Sequence, residues 1–222
     1  MHKVTLNIND LKSLPDSNDP KKKEYIATVS VLELAKADIP MDSNPRKQDQ
    51  KSRVFKDIKE SILSFDNIFR YKNIGITIFC NSVVFDNDRT KPIELTFNLD
   101  REELKHGNIN GGHTLLACKE AVNEVETAIE NGERDSSDLE KIANQTVKVS
   151  LVTGLSDLDE IIDIADANNN HAGVTTESFI EMAGGFNNFK TKLKNSTWHD
   201  RVQYKMNDKY EEDGVLKDYP ID

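Results

Sequence analysis

The residues best suited to chemistry lie in one short string, Asn110-Gly111-Gly112-His113-Thr114, where a short apolar segment meets a long amphipathic one. Two adjacent glycines let the backbone approach a ligand closely. The N–H groups that open a helix lack intrahelical partners and carry the positive end of its dipole. Such a turn suits an anion, a phosphate above all. His113 falls in the first helical turn, where an imidazolium is disfavoured, so a neutral ring that accepts a hydrogen bond or a proton is expected. The competing reading is a plain strand-to-helix turn with His113 packed or facing solvent. Asn44-Pro45-Arg46 is the second string. Proline stiffens that loop, and a planar guanidinium suits phosphate or carboxylate; the alternative is a surface arginine before a helix. A helix terminus supplies no full countercharge and Arg46 is the nearest source, so the two strings are expected to meet and share one anionic ligand.

Other groupings say less. Asp159, Asp163, Asp166 and Asn170 step along one helix face, but side chains on one helix diverge from a common centre, which favours a solvated acidic face over a metal site. Arg46, Lys47, Lys51, Arg53, Lys56 and Lys59 form the one basic stretch of note. It has no interleaved aromatic residues, so phosphate contact is indicated and base recognition is not. His2, His106, His171 and His199 lack zinc-like spacing, and no GxSxG, Walker A, HExxH or GxGxxG string occurs. No metal is assigned. Asp42 and Asp49 are the only upstream carboxylates that a nuclease could use. Cys80 and Cys118 lie in apolar runs without CxxC spacing and are expected to be buried, unpaired and reduced.

The elements that must position these residues follow from periodicity. Val4–Ile8 and Tyr25–Val31 read as strands, with a loop between Pro15 and Pro20. Asp49 is a candidate cap for a helix on which Val54, Ile58, Ile62 and Phe65 recur at helical steps. Ile74–Cys80, Ser82–Phe85 and Pro92–Asn98 should pair as a meander. Behind the glycine turn, Leu115, Cys118, Val122, Val125 and Ile129 mark a long amphipathic helix. Ser137 with Glu140 and Ser156 with Asp159 have capping-box spacing, and Thr146–Val152 is a strand between those two helices. Further helices are expected over Thr176–Ala183 and Phe186–Leu193. The fold class is α+β, one mixed sheet with surrounding helices, with a core over residues 1–153 and a helical part over residues 154–222.

With 222 residues, 31% of them charged, the chain is polar yet long enough to bury a core without staples. The net charge is −10, and residues 100–166 hold six basic and sixteen acidic side chains, so the whole deficit lies there. A general polyanion coat is excluded, and double-stranded DNA binding should be weak and steeply salt-dependent. No membrane span or secretory leader is visible, so a cytoplasmic protein is expected.

Taken in order, Asn44-Pro45-Arg46, Lys59-Glu60-Ser61-Ile62, Asn73-Ile74-Gly75-Ile76-Thr77-Ile78 and Asn110-Gly111-Gly112-His113-Thr114 resemble the AIPR (abortive infection phage resistance) proteins of bacteria. Ala167-Asn168-Asn169-Asn170 and Gly184-Gly185-Phe186 are similar to that family's downstream pattern. At greater distance, the Asn-Pro-Arg box and the glycine turn opening a helix resemble the ParB/sulfiredoxin-like fold. Its glycine turn binds nucleotide phosphates, and Thr114 stands where that pattern has an arginine. The resemblance implies a bacterial or phage-borne antiviral-defence protein with a ParB/sulfiredoxin-like core. Its ligand would be a nucleoside phosphate with Mg²⁺, held by Asn44, Arg46, Asn110, Gly111, Gly112 and Thr114, with His113 as acceptor or base in a nucleotide-dependent enzyme or switch. A non-catalytic module that holds nucleic acid, a protein partner or another copy is the first alternative, and a nuclease the second. AIPR proteins are often longer, which favours reading residue 222 as a cut.

Overall fold

A computed structural model describes residues 1–86, 91–99, 105–169, 177, 180–181, 183–199, 202–204, 210–212 and 215–217. At its centre is the strand Thr146–Thr153, in which Val147, Val149 and Leu151 are fully buried on one face while Lys148, Ser150 and Val152 alternate onto the other. We number the elements in chain order. The strands are β1 (His2–Leu6), β2 (Asp10–Pro15), β3 (Lys23–Ser30), β4 (Ile76–Phe79), β5 (Ser82–Val84), β6 (Ile93–Phe97), β7 (Gly107–Asn110), β8 (Thr146–Thr153), β9 (Tyr210–Glu212) and β10 (Val215–Lys217). The helices are α1 (Val31–Lys36), α2 (Arg53–Leu63), α3 (Phe69–Lys72), α4 (Gly112–Glu130), α5 (Ser137–Asn144), α6 (Leu158–Asn169) and α7 (Asn187–Leu193).

The main sheet has the order β2-β3-β8-β4-β7. β3 and β8 pair antiparallel from Lys23↔Thr153 to Ser30↔Thr146, and β4 lies parallel to β8 with Ile76 opposite Val149. β7 completes the edge antiparallel to β4, with a register break between Thr77 and Ile78. The core lies on the face carrying Ala27, Val29, Ile76, Ile78, Val149 and Leu151, against Leu34 of α1, Ile62 of α2, Ile142 of α5 and Leu115, Cys118, Val122 and Val125 of α4. On the opposite face a smaller cluster, Phe79 and Ile109 with Ile161 and Ala165, seats α6.

The α+β class holds, and several local expectations change. The anticipated meander forms only in part. β5 and β6 pair antiparallel as expected, but β6 takes β1 as its other neighbour in a separate three-stranded sheet, while β4 joins β8 instead. Apolar strands carry no label for their partners, and burial against the main core decided the pairing. α1 follows β3 directly where the sequence suggested strand up to Val31; Ser30 caps it by accepting from the Glu33 N–H. Ser52, not Asp49, caps α2, accepting from Phe55 N–H, while Asp49 Oδ1 accepts from Lys51 N–H. The buried α2 positions are Phe55 and Ile62; Val54 is 56% exposed and Phe65 lies beyond the helix at φ 53.

α5 and α6 form without the expected serine caps: Asp135 and Asp157 accept from the N–H groups of Ser137 and Asp159. β9 and β10 pair antiparallel, and three-residue strands carry too little alternation to be read from the sequence. Asn170, His171 and most of the expected helix over residues 176–183 lie outside the described residues.

Candidate functional site

β7 and α4 are joined by a single residue, Gly111, at φ 77 and ψ 23. A side chain there would run into the Gly75 carbonyl oxygen and lie 2.8 Å from Ile76 Cγ2, so the start of α4 sits tightly on the entry to β4. Gly112 is close-packed on its other side. A Cβ would come within 2.8 Å of Gln48 Cδ and 3.0 Å of Asn44 Nδ2. Gly111 is therefore required by the backbone around it, while at Gly112 the nearest atoms are the end of the Gln48 side chain, which can shift, and the Asn44 amide.

That loop runs along β7 and over the first turn of α4. Asn108 N–H donates to the Pro40 carbonyl (2.8 Å), and Asn44 Nδ2 donates to Asn108 Oδ1 (2.7 Å), both side chains buried. Arg46 N–H donates back to Asn44 Oδ1 (2.9 Å) in a local turn, Gln48 Nε2 donates to the Arg46 carbonyl (2.5 Å), and Asp49 N–H donates to His113 Nε2 (3.1 Å). Further on, Gln50 reaches Glu120 (3.2 Å) and Lys59 pairs with Glu124 (2.6 Å), which ties α2 to α4. The strings around Asn44 and Gly112, 68 positions apart in the chain, are thus in contact.

Most of the polar groups singled out from the sequence serve this packing. Thr114 is buried, accepting from Asn73 Nδ2 (3.0 Å) and donating to Asn73 Oδ1 (3.4 Å), while Asn73 Oδ1 also accepts from Gly75 N–H (2.8 Å). Asn110 Oδ1 accepts from Gly111 N–H (2.8 Å), and the Asn110 carbonyl accepts from Asn108 Nδ2 (2.8 Å). His113 is half-buried, and burial first, then the Arg46 guanidinium, hold its pKa below the ordinary histidine range against the opposing pull of Asp49. Both causes favour the neutral ring. Its Nε2 lone pair is engaged by a backbone N–H, which places the ring proton on Nδ1.

Several buried side-chain polar atoms lack a hydrogen-bond partner among the described residues, Ser61 Oγ and Gln145 Oε1 among them, and two of these atoms lie in the loop before α2. The Arg46 Nε and the Ser43 Oγ are buried and have no hydrogen-bond partner among the described residues, and Ser43 is only 1% exposed. Unsatisfied buried donors are costly, so two of them in the loop that packs on the first turn of α4 call for an explanation. Ser43, Gln48 and Asn108 carry no signal of their own in the sequence strings, and Asn73 enters there only through the Asn73–Ile78 string. For Asn108 the signal lies in the strand instead, since a polar residue flanks Ile109 on each side within a buried strand.

On the far face of the main sheet lies a cleft of about 900 Å³ between the β2–β3 turn and α6. Thr77, Asn110, Lys148, Ser150, Asp163 and Asn168 are among its lining. Lys22 spans it to Glu160 at 2.5 Å, and that bond raises the Lys22 pKa. Asp163 of the acidic helix face thus borders this cleft, and no group of His, Cys, Asp or Glu among the described residues could hold a metal ion. Asp42 is exposed and the Asp49 carboxylate is used in a turn. Cys80 and Cys118 are both buried and free, and burial pushes each thiol up to about 12. Among the described residues no helix is long and apolar enough to cross a membrane.

A family model described as AIPR protein matches residues 41–215, a span that takes in the loop before α2, the glycine turn and α6. No curated protein and no solved structure matches the chain.

Proposed function

The chain belongs to the AIPR protein family, and on that premise we propose that it acts in abortive-infection antiviral defence as a phosphate-responsive switch in the bacterial cytoplasm. The ligand is a nucleoside phosphate or a similar phosphate ester, with Mg²⁺ as its counterion, seated against Ser43, Arg46 and the first turn of α4. The observation that carries this reading is the pair of buried donors without partners, Ser43 Oγ and Arg46 Nε, beside a nineteen-residue helix that begins at Gly112. An oxyanion would satisfy both and meet the positive end of the helix. Asn44, Asn110, Gly111, Gly112 and Thr114 would shape this site by holding the loop and the turn together. The order of Asn-Pro-Arg box, helix and glycine turn supports a ParB/sulfiredoxin-like core over residues 1–153, with residues 154–222 as the added part.

A switch is preferred to an enzyme because the lone pair that a base at His113 would use already accepts a hydrogen bond. A plain binding module for nucleic acid or a protein partner would also leave His113 engaged, but it gives no role to the two orphan donors. The test is a thermal-shift panel of nucleoside mono-, di- and triphosphates, with and without Mg²⁺. A ligand at a hundred times its Kd should add about 2.7 kcal/mol of stability. Stabilisation that is lost in Arg46→Ala is expected, and no response to any phosphate compound would sink the reading. In cells, the same substitution should restore phage plating on a host that the wild-type chain protects.

A further inference from the structure

We propose that His113 is the positioning residue that holds the 43–49 loop in its anion-receiving shape, by accepting the Asp49 N–H at Nε2. This rests on the proposed phosphate site and adds to it a reason for the histidine that is neither catalysis nor ligand contact.

The geometry is a strap fixed at two ends. One end is the buried Asn44–Asn108 pair at 2.7 Å, and the other is the Asp49 N–H to His113 Nε2 bond at 3.1 Å. Between them lie Pro45, Arg46, Lys47 and Gln48, with Lys47 exposed and the Gln48 amide laid over Gly112 and bonded to the Arg46 carbonyl. Ser43 Oγ and Arg46 Nε have no partner of their own among the described residues, so nothing at those two atoms fixes where they stand. Arg46 lies between the strap's anchors and Ser43 immediately before the first, so the anchors set where both stand. One of those anchors is a ring that can titrate, because a protonated imidazole has two donors and no acceptor.

Arg46 and Asp49 are the charged groups that face the ring, and both ride on the strap. The neighbouring residues of α4, Gly112, Thr114 and Leu115, are uncharged, as is Asn73, which packs on Thr114. Protonation therefore has two opposed effects. It adds positive charge beside the site, which by Coulomb attraction alone would strengthen anion binding. It also removes the acceptor for Asp49 and frees that end of the strap. The second effect wins, so that anion binding weakens as pH falls.

The experiment uses the full chain and sulfate as probe, because sulfate stays a dianion between about pH 8 and about pH 5, where a histidine titrates. Affinity is read by calorimetry for wild type, His113→Gln and His113→Leu, with amide hydrogen exchange at Asp49 followed in the ligand-free proteins. Gln offers an uncharged oxygen where Nε2 stood. It should bind within about threefold of wild type at high pH and lose the pH dependence, while Leu should bind about tenfold more weakly at every pH. Asp49 should be protected from exchange in wild type and Gln and unprotected in Leu, which reads the strap even if the sulfate signal is small. Tighter sulfate binding by wild type at low pH, or Leu matching wild type, would overturn the positioning role while leaving the phosphate site standing. Failure of wild type to bind sulfate or any phosphate compound, with Asp49 protected as described, would overturn the site and this inference with it.

Discussion

The two faces of the main sheet hold polar groups in opposite ways. On the core face, around the start of α4, Asn44, Asn108 and Thr114 are almost fully buried, and each is bonded to another part of the chain. On the far face, Lys22, Glu160, Asp163 and Lys148 line an open cleft and keep much of their hydration. Burial makes each unmade hydrogen bond costly, so a dry polar network fixes one shape, and any donor left over is conspicuous. Wet charges carry no such information, because water satisfies whatever the protein does not. This is why the unpartnered Ser43 Oγ and Arg46 Nε stand out and the charges of the cleft do not.

The sharpest way to break the comparison is at Gly111. Valine there must adopt φ 77 and press on the Gly75 carbonyl and Ile76, so it should cost about 2–5 kcal/mol in denaturant unfolding. Gly132 provides the control. It has a similar φ of 75 but nothing within 4 Å of a Cβ, so Gly132→Ala should cost only about 1 kcal/mol. Equal costs would show that α4's first turn is not close-packed on β4.

Next in size is Asn108→Ala, which removes the acceptor of Asn44 Nδ2 and the donor to the carbonyls of Asn110 and Thr77. A loss of about 1–3 kcal/mol is expected, together with faster hydrogen exchange in residues 43–46. No change in exchange would detach the loop from the asparagine network.

A smaller effect should appear with pH. Burial holds the pKa of both His113 and His106 below the ordinary value, so the unfolded chain takes up protons more readily than the native one. Stability should therefore be full above about pH 6.5 and fall as pH drops towards the lowered native values. His113→Gln should remove part of that slope, measured as denaturation midpoints against pH. An unchanged slope would mean that the ring is not neutral by virtue of its surroundings.

The smallest change is expected on the wet face. Glu160→Gln breaks the Lys22 bridge across the cleft, yet both partners are solvated, so the unfolding midpoint should stay where it is. A clear drop would put structural weight on the cleft and erase the contrast between the faces.

Residue pattern alone determined the long helix α4, the central strand β8, the buried cysteines and the polar glycine turn. Each is a local or periodic property: apolar residues at steps of three and four, alternation in a strand, and the backbone freedom of glycine. The α+β class followed from the same signals. Only the tertiary structure decided that β4 lies parallel to β8 and that β5 and β6 leave for another sheet, because an apolar strand fits many partners and the register is chosen by the whole core. It also decided that Asn44 meets Asn108, that Thr114 is spent on Asn73, and that His113 receives a backbone proton from Asp49. A side-chain hydrogen bond between distant segments has no signature in either segment, since each residue type could bond to water equally well. Folding turns those free choices into one network by removing the water.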